Sequence, residues 1–502
     1  MPFSIINTIT SWFLKKRIHQ IELFKKYPIE VQNEVLMSLI KNAENTEFGK
    51  KYHFNNIRDY KTFSKNIPIS NYEDFFKYIK RSIEGEKNIF WNSEIKWYAQ
   101  SSGTTNSKSK FIPVSKESLE DCHYKAGKDV LCLYINNNEN SNLFSGKSLR
   151  LGGSKKILND GNKYFGDLSA ILIDNLPIWA EMMSTPNNEI SLMDKWDEKL
   201  DAVISSTINE DVTSLAGVPS WMLIMINKVL KERKVNQVKE IWKNLEVYFH
   251  GGVDFKPYKN QFKKILGKNV LYYEIYNASE GFFAIQDRNN KDDMLLMLDY
   301  GIYFEFQEYS SDGTKNDEII NLNKVKLDTN YAIIISTNAG LWRYKIGDTV
   351  KFTSLSPFRI KITGRTKSFI NAFGEELIIE NAEKAINKAL LKHNSTMIEY
   401  TVAPSFINKN KTGFHEWLIE FEIKPIDISS FKKDLDMNLQ ELNTDYKAKR
   451  FKNITMDDIK ITVAKKNIFY DWLKQNNKLG GQNKVPRLSN DRKIIDELLK
   501  IN

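Results

Sequence analysis

Ser101-Ser102-Gly103-Thr104-Thr105-Asn106-Ser107-Lys108-Ser109-Lys110 brings hydroxyls, a glycine and two ammonium groups together in ten residues. Backbone N–H groups in a turn form an anion concavity, hydroxyls add donors and lysines supply charge, so this stretch suits a polyphosphate tail. The pattern GxxxxGK[ST] is absent from it, which disfavours kinases and GTPases of the P-loop class. Tyr276-Asn277-Ala278-Ser279-Glu280-Gly281 offers a ring, a hydroxyl and one carboxylate. A single carboxylate near phosphates suits Mg²⁺, which keeps most of its waters. Leu341-Trp342-Arg343-Tyr344-Lys345-Ile346-Gly347-Asp348 sets an acid after a glycine turn, where it can accept from two sugar hydroxyls. Each stretch alone is also ordinary turn chemistry or a solvated acid.

The elements that carry these residues are short strands running into loops of small and polar residues. Ile95–Ala99 leads into the hydroxyl-rich loop, Leu245–Phe249 into His250-Gly251-Gly252, and Val270–Tyr276 into Asn277. Ligands of α/β sheets bind beyond the carboxyl ends of strands, so the three exits read as one shared site. A hairpin-like run, Tyr331–Thr337 then Leu341–Val350, carries Arg343 and Asp348 on its second strand. The first 90 residues read as helical, with Val31, Val35, Leu36, Leu39 and Ile40 on one stripe after Pro28 and a capped start at Asn71. Past about residue 366 the order is a helix at 379–393, strands near 398–403 and 417–423, a helix at 429–450 and a strand near 459–464, a small α+β unit. The boundary falls near Gly364-Arg365-Thr366-Lys367, and Gly480–Arg487 reads as a glycine-flanked loop too flexible to be core.

Composition excludes several classes. The 502 residues are 41% hydrophobic, enough for a large core, and 73 basic against 63 acidic residues give +10. That mild excess does not argue for nucleic acid. Two cysteines, Cys122 and Cys132, make a disulfide framework or a structural zinc site unexpected. No apolar run approaches the length of a membrane span, and the N-terminus lacks the order of a secretory signal, so a cytoplasmic protein is expected. Only 12 of the 73 basic residues are arginine, so those inside motifs carry more information.

Taken in order, SSGTTNSKSK, HGGV, YNASEG, LWRYKIGD, GRTKSF and GGQNKVPR resemble the adenylate-forming superfamily and, within it, the GH3 acyl acid amido synthetases. The resemblance implies an α/β fold. A large multilayer N-terminal domain, 1–365, would hold mixed β-sheets flanked by helices, and 366–502 would form a small mobile α+β lid. By the same resemblance Ser101, Ser102, Thr104 and Thr105 form the phosphate loop, Gly251 and Gly252 the turn against adenine, and Tyr276, Asn277, Ala278 and Ser279 the nucleotide-stacking loop. Glu280 would hold Mg²⁺, Asp348 the ribose, and Arg365 the ribose and phosphate at the hinge. Lys484 would be the mobile lysine that reaches the α-phosphate, with Lys484 and Glu280 as the catalytic pair. Arg343 and Arg487 also fall within motifs. Asn106-Ser107 departs from the glycine usual there and is similar to bacterial-type members. The implied reaction uses ATP and Mg²⁺ to adenylate a carboxylic acid and passes the acyl group to an amine or amino acid. It leaves AMP and pyrophosphate, in a monomer that binds neither nucleic acid nor membrane. His250 is a candidate base or a structural histidine. A carboxylate–CoA ligase and a nucleotide binder without turnover remain as alternatives.

Overall fold

Pro28 opens the first long helix, Pro28–Ala43, where its fixed φ is pre-organised and its missing N–H costs nothing. Leu36, Leu39 and Ile40 are buried on one stripe, with Val31 and Val35 packed beside them. The helix Tyr72–Ile83 starts on a capping box: Asn71 accepts from the Asp74 N–H at 3.0 Å, and Asp74 accepts from the Asn71 N–H at 3.1 Å. The computed structural model describes residues 16–502 apart from 102–109, 153–157, 161, 194, 253–254, 256–257, 310–314, 367–368, 371, 374, 376, 407–412, 451–455, 477 and 480–483.

Among the described residues one sheet has twelve strands. Ser184–Thr185, Lys147–Arg150, Val212–Gly217, Val247–Gly251 and Leu271–Ala278 lie side by side and parallel. From Leu271–Ala278 onward the neighbours are antiparallel: Gly281–Ile285, Met294–Leu296, Phe358–Arg365, Tyr344–Leu355, Asn330–Thr337, Ile302–Tyr309 and Lys315–Asn321. Buried strands such as Asn330–Thr337 read as near-continuous apolar runs because both faces are covered. One core joins the N-terminal helices to the sheet through Phe48, Phe54 and Trp342. A second unites Trp221, Met222, Tyr258 and Phe262 with Leu418, Ile468, Trp472, Val485 and Leu498 from the C-terminal part. That part has its own three-stranded sheet, Thr396–Phe406, Gly413–Ile423 and Lys460–Val463, under helices Ile379–Lys392 and Ile428–Leu442. No helix of the described residues is long and apolar enough to cross a membrane.

Four expectations change. The strand before the hydroxyl-rich loop is Trp97–Ser101, and it belongs to a separate four-stranded sheet rather than to the one carrying the glycines. Arg343 is not on the hairpin strand: it precedes it at φ 44°, where its guanidinium grips Glu305 at 2.8 and 2.9 Å and donates to the carbonyls of Ser64 and Ile67. The helix expected at 429–450 breaks at Asn443, whose side chain accepts from the Tyr446 N–H at 2.8 Å and starts a second helix, Thr444–Arg450. Of the tail loop, 480–483 lie outside the described residues, and beyond them Val485, Arg487 and Leu488 are buried rather than loose. Val485 and Leu488 feed two different clusters, and the Val402 N–H donates to the Arg487 carbonyl at 2.8 Å.

Candidate functional site

The strand Val247–Gly251 is buried along its whole length and delivers its last residue to the carboxyl edge of the sheet. Gly251 stands opposite Ile275, and a Cβ there would lie 2.4 Å from the Ile275 carbonyl oxygen, so close backbone approach demands glycine. Gly252 needs glycine for another reason, its φ of +84°. The Lys484 ammonium donates to the Gly252 carbonyl, and a Cβ on Gly252 would come within 2.9 Å of that nitrogen. Two motifs separated by more than 200 residues thus meet at one backbone turn.

The neighbouring strand Leu271–Ala278 folds back into Gly281–Ile285 with Ala278 opposite Gly281, so Ser279 and Glu280 form the hairpin tip. Ser279 is buried there and Glu280 half-buried. Two residues before Ala278, Tyr276 donates its hydroxyl to Asp348 at 2.8 Å. Asp348 sits within Tyr344–Leu355 just after Gly347, whose φ of +88° accompanies a register shift against Asn330–Thr337. Such a bulge re-aims the side chain beside it. Across the next pairing Asp348 stands opposite Arg365, the last residue of its strand, and the Thr366 N–H donates to the Gly347 carbonyl at 2.8 Å. The structure therefore brings together Gly252 with Lys484, Tyr276 with Asp348, and the backbones of Asp348 and Arg365. Asn277 pairs with Phe282 in the same hairpin. Ser101 ends a strand of the smaller sheet, while Ser102, Thr104 and Thr105 lie outside the described residues.

His250 stacks on Phe255 at 3.9 Å and its Nδ1 has no partner among the described residues. Burial, aided by Lys259, pushes its pKa down to about 3, so the ring is neutral and a poor base. No group of three or more His, Cys, Asp or Glu suited to a metal occurs among the described residues. The donor offered at the strand exit is the one carboxylate of Glu280, a set that suits a largely hydrated Mg²⁺ rather than a dehydrated transition metal.

Two features escaped the sequence. Val212–Gly217 runs beside Val247–Gly251 and makes a further exit at Gly217; the signal was a small residue two before the helix-opening Pro219. Arg487, grouped above with motif arginines, is buried against Glu383, Glu399 and Tyr258, which holds it well above the usual guanidinium range. It ties the tail to the rest of the C-terminal part through Glu383 and Glu399, and of these partners only Tyr258 comes from outside that part.

A parallel half-sheet with glycine turns at its carboxyl edge thus meets a C-terminal unit whose Lys484 contacts one of those turns. The chain superposes on the GH3.15 acyl acid amido synthetase with TM-score 0.81 at 17% identity, covering 96% of this chain and 95% of that one. A 2-hydroxyisobutyryl-CoA ligase in its postadenylation state gives 0.60 at 11% identity over 94% and 91%. The chain belongs to the GH3 family: the family's N-terminal domain matches residues 17–271, its central domain 295–365 and its C-terminal domain 380–493. Among named relatives, the indole-3-acetic acid-amido synthetase GH3.4 of Arabidopsis thaliana is 23% identical over 94% of this chain and 91% of its own length.

Proposed function

We propose that this protein is an acyl acid amido synthetase that consumes ATP. The substrate carboxylate attacks the α-phosphorus of ATP, the bond to pyrophosphate breaks, and an acyl-adenylate forms. An amine nitrogen then attacks the acyl carbon, the bond to AMP breaks, and the amine's surplus proton leaves to solvent. The observation that carries this reading is Lys484 on the Gly252 carbonyl, at the edge where Tyr276 and Asp348 are also joined. In that position an ammonium offsets charge that grows on the α-phosphate, by electrostatic stabilisation without a protein nucleophile. Asp348 would accept from the ribose, Tyr276 and the 277–279 hairpin would line the base, and Ser101, Ser102, Thr104 and Thr105 would cradle the phosphates. Arg365 would reach ribose and phosphate. Glu280 would hold Mg²⁺, which when bound neutralises phosphate charge. Residues 366–502 would be the lid and 1–365 the body. Burial leaves His250 too weakly basic to be assigned as a general base.

Carboxylate-dependent exchange of labelled pyrophosphate into ATP over a panel of acids tests the first half. Release of AMP on adding amino acids, against CoA, tests the second. Exchange followed by AMP release with CoA alone would make the protein a thioester ligase, and no exchange with any acid would remove the enzymatic reading.

A further inference from the structure

Arg150 ends the strand Lys147–Arg150 at the carboxyl edge of the parallel half of the sheet. It stands opposite Ala216, and Ala216 opposite Phe249, so one row crosses from Arg150 to the strand that ends in Gly251. Two strand spacings separate them, about 10 Å. Residues in such a row share a face, and Ala216, Phe249 and Tyr124 all lie against the same core.

On that face Arg150 is half-buried, yet it forms neither a hydrogen bond nor an ion pair with any described residue. The contrast within the chain is sharp. Arg17, Arg343, Arg359, Arg450 and Arg487 are each locked to carboxylates. Around Arg150, Glu181 and Tyr124 act only at longer range, and burial depresses the guanidinium to about 10. Two residues on from Arg150, the Gly152 carbonyl accepts from Lys199 at 2.8 Å, and that covered lysine adds a second positive charge. A partly desolvated guanidinium without a counter-charge in contact is costly, and its planar fork matches a carboxylate.

We propose that Arg150 is the receptor for a carboxylate other than the one activated, supplied by the α-carboxylate of an acceptor amino acid or by the second carboxylate of a dicarboxylic acyl acid. This rests on the ligase reading above. The activated carboxylate must lie at the Gly252–Lys484 turn, two strands away, so a charge at Arg150 belongs to another group of the same reacting pair.

Phenylglyoxal attacks the deprotonated guanidine, so peptide mass spectrometry of the labelled folded protein is expected to find Arg150 modified ahead of Arg343 and Arg487. L-Alanine and L-glutamate at saturating concentration should slow that labelling by about threefold or more, while alaninamide does not. Protection by succinate or phthalate, but not by acetate or by the amino acids, would assign the diacid instead. Labelling untouched by both sets overturns the proposal. In turnover, the ratio of kcat/KM for the carboxylate-bearing substrate over its amide should fall about tenfold in Arg150→Gln and recover in Arg150→Lys. A ratio unmoved in both variants also overturns it. Protection needs no catalysis, so a wild type inactive in pyrophosphate exchange would sink the ligase reading without deciding this one.

Discussion

Gly252 and Lys484 are each explained by the other. At φ +84° with Nζ within 2.9 Å of a Cβ position, Gly252→Ala must move either the turn or the lysine, and carboxylate-dependent pyrophosphate exchange should fall well below wild type. Lys484→Ala should bind Mg-ATP nearly normally by calorimetry, lose exchange by about 10²–10³, and still convert a supplied acyl-adenylate to amide, because a donor used mainly in the transition state affects turnover more than affinity. Exchange within twofold of wild type would leave Lys484 as one more surface lysine. Asp348→Ala should weaken Mg-ATP binding and remove the acceptor that lies 2.8 Å from the Tyr276 hydroxyl. At this scale the sequence named both glycines, the acid and the lysine. What it could not state is the Gly252–Lys484 contact, which depends on how the tail folds back. His250 was ambiguous for a related reason: only packing against Phe255 reveals that it is neutral. Its pKa is depressed to about 3 against an ordinary 6.5, so the folded state resists protonation that the unfolded chain accepts. Stability is therefore full above about pH 6.5 and falls as pH drops toward 3, by up to about 1.4 kcal/mol per unit from this ring. Urea midpoints between pH 7 and 5 should show that fall, and a shallower one in His250→Gln.

The tail after residue 483 shows how non-local pairing turns a loop-like stretch into core. The glycines at 480 and 481 lie outside the described residues, whereas Val485 and Leu488 are buried apolar residues, Arg487 is ion-paired, and the parallel bridge of Leu488 to Val402 places this stretch at a sheet edge. Arg487→Ala removes the buried cation paired with Glu383 and Glu399, a loss of about 3–5 kcal/mol expected in denaturant unfolding, since breaking a buried pair from one side costs more than the pair contributes. Glu420, on the middle strand of the same small sheet, accepts from the Asn467 N–H at 2.6 Å, and burial pushes its carboxyl up to about 7. Here the sign is opposite to that of His250. The folded state holds the proton more tightly than the unfolded chain, so this contribution is complete below about pH 4.5 and is lost as pH rises through 7. Glu420→Gln, which keeps the accepting oxygen, should gain in Tm relative to wild type as pH goes from 5 to 8. Helices with clear periodicity, such as Pro28–Ala43 and Ile379–Lys392, were legible because their stripes are local. The break at Asn443 was not, because the same side chain also donates to the Glu375 carbonyl, a partner 68 residues away.

For the whole molecule, the α/β class and the order of the motifs were legible, while the division of strands between two sheets was not. Sheet membership is set by non-local pairing such as Trp97 with Tyr164, which no window of sequence contains. A lid made of residues 366–502 would have to leave part of the second core when it moves, so solution scattering with and without ATP and acid should detect two arrangements. An unchanged curve would count against the swing. That same core has a consequence for anyone who divides the gene. Trp221, Met222, Tyr258 and Phe262 on one side, and Leu418, Ile468, Trp472 and Val485 on the other, are each half of a single oily seam. Chains severed near residue 366 would each display a raw apolar surface. Expressed apart they should precipitate or be degraded, and expressed together they should find one another and restore a soluble pair.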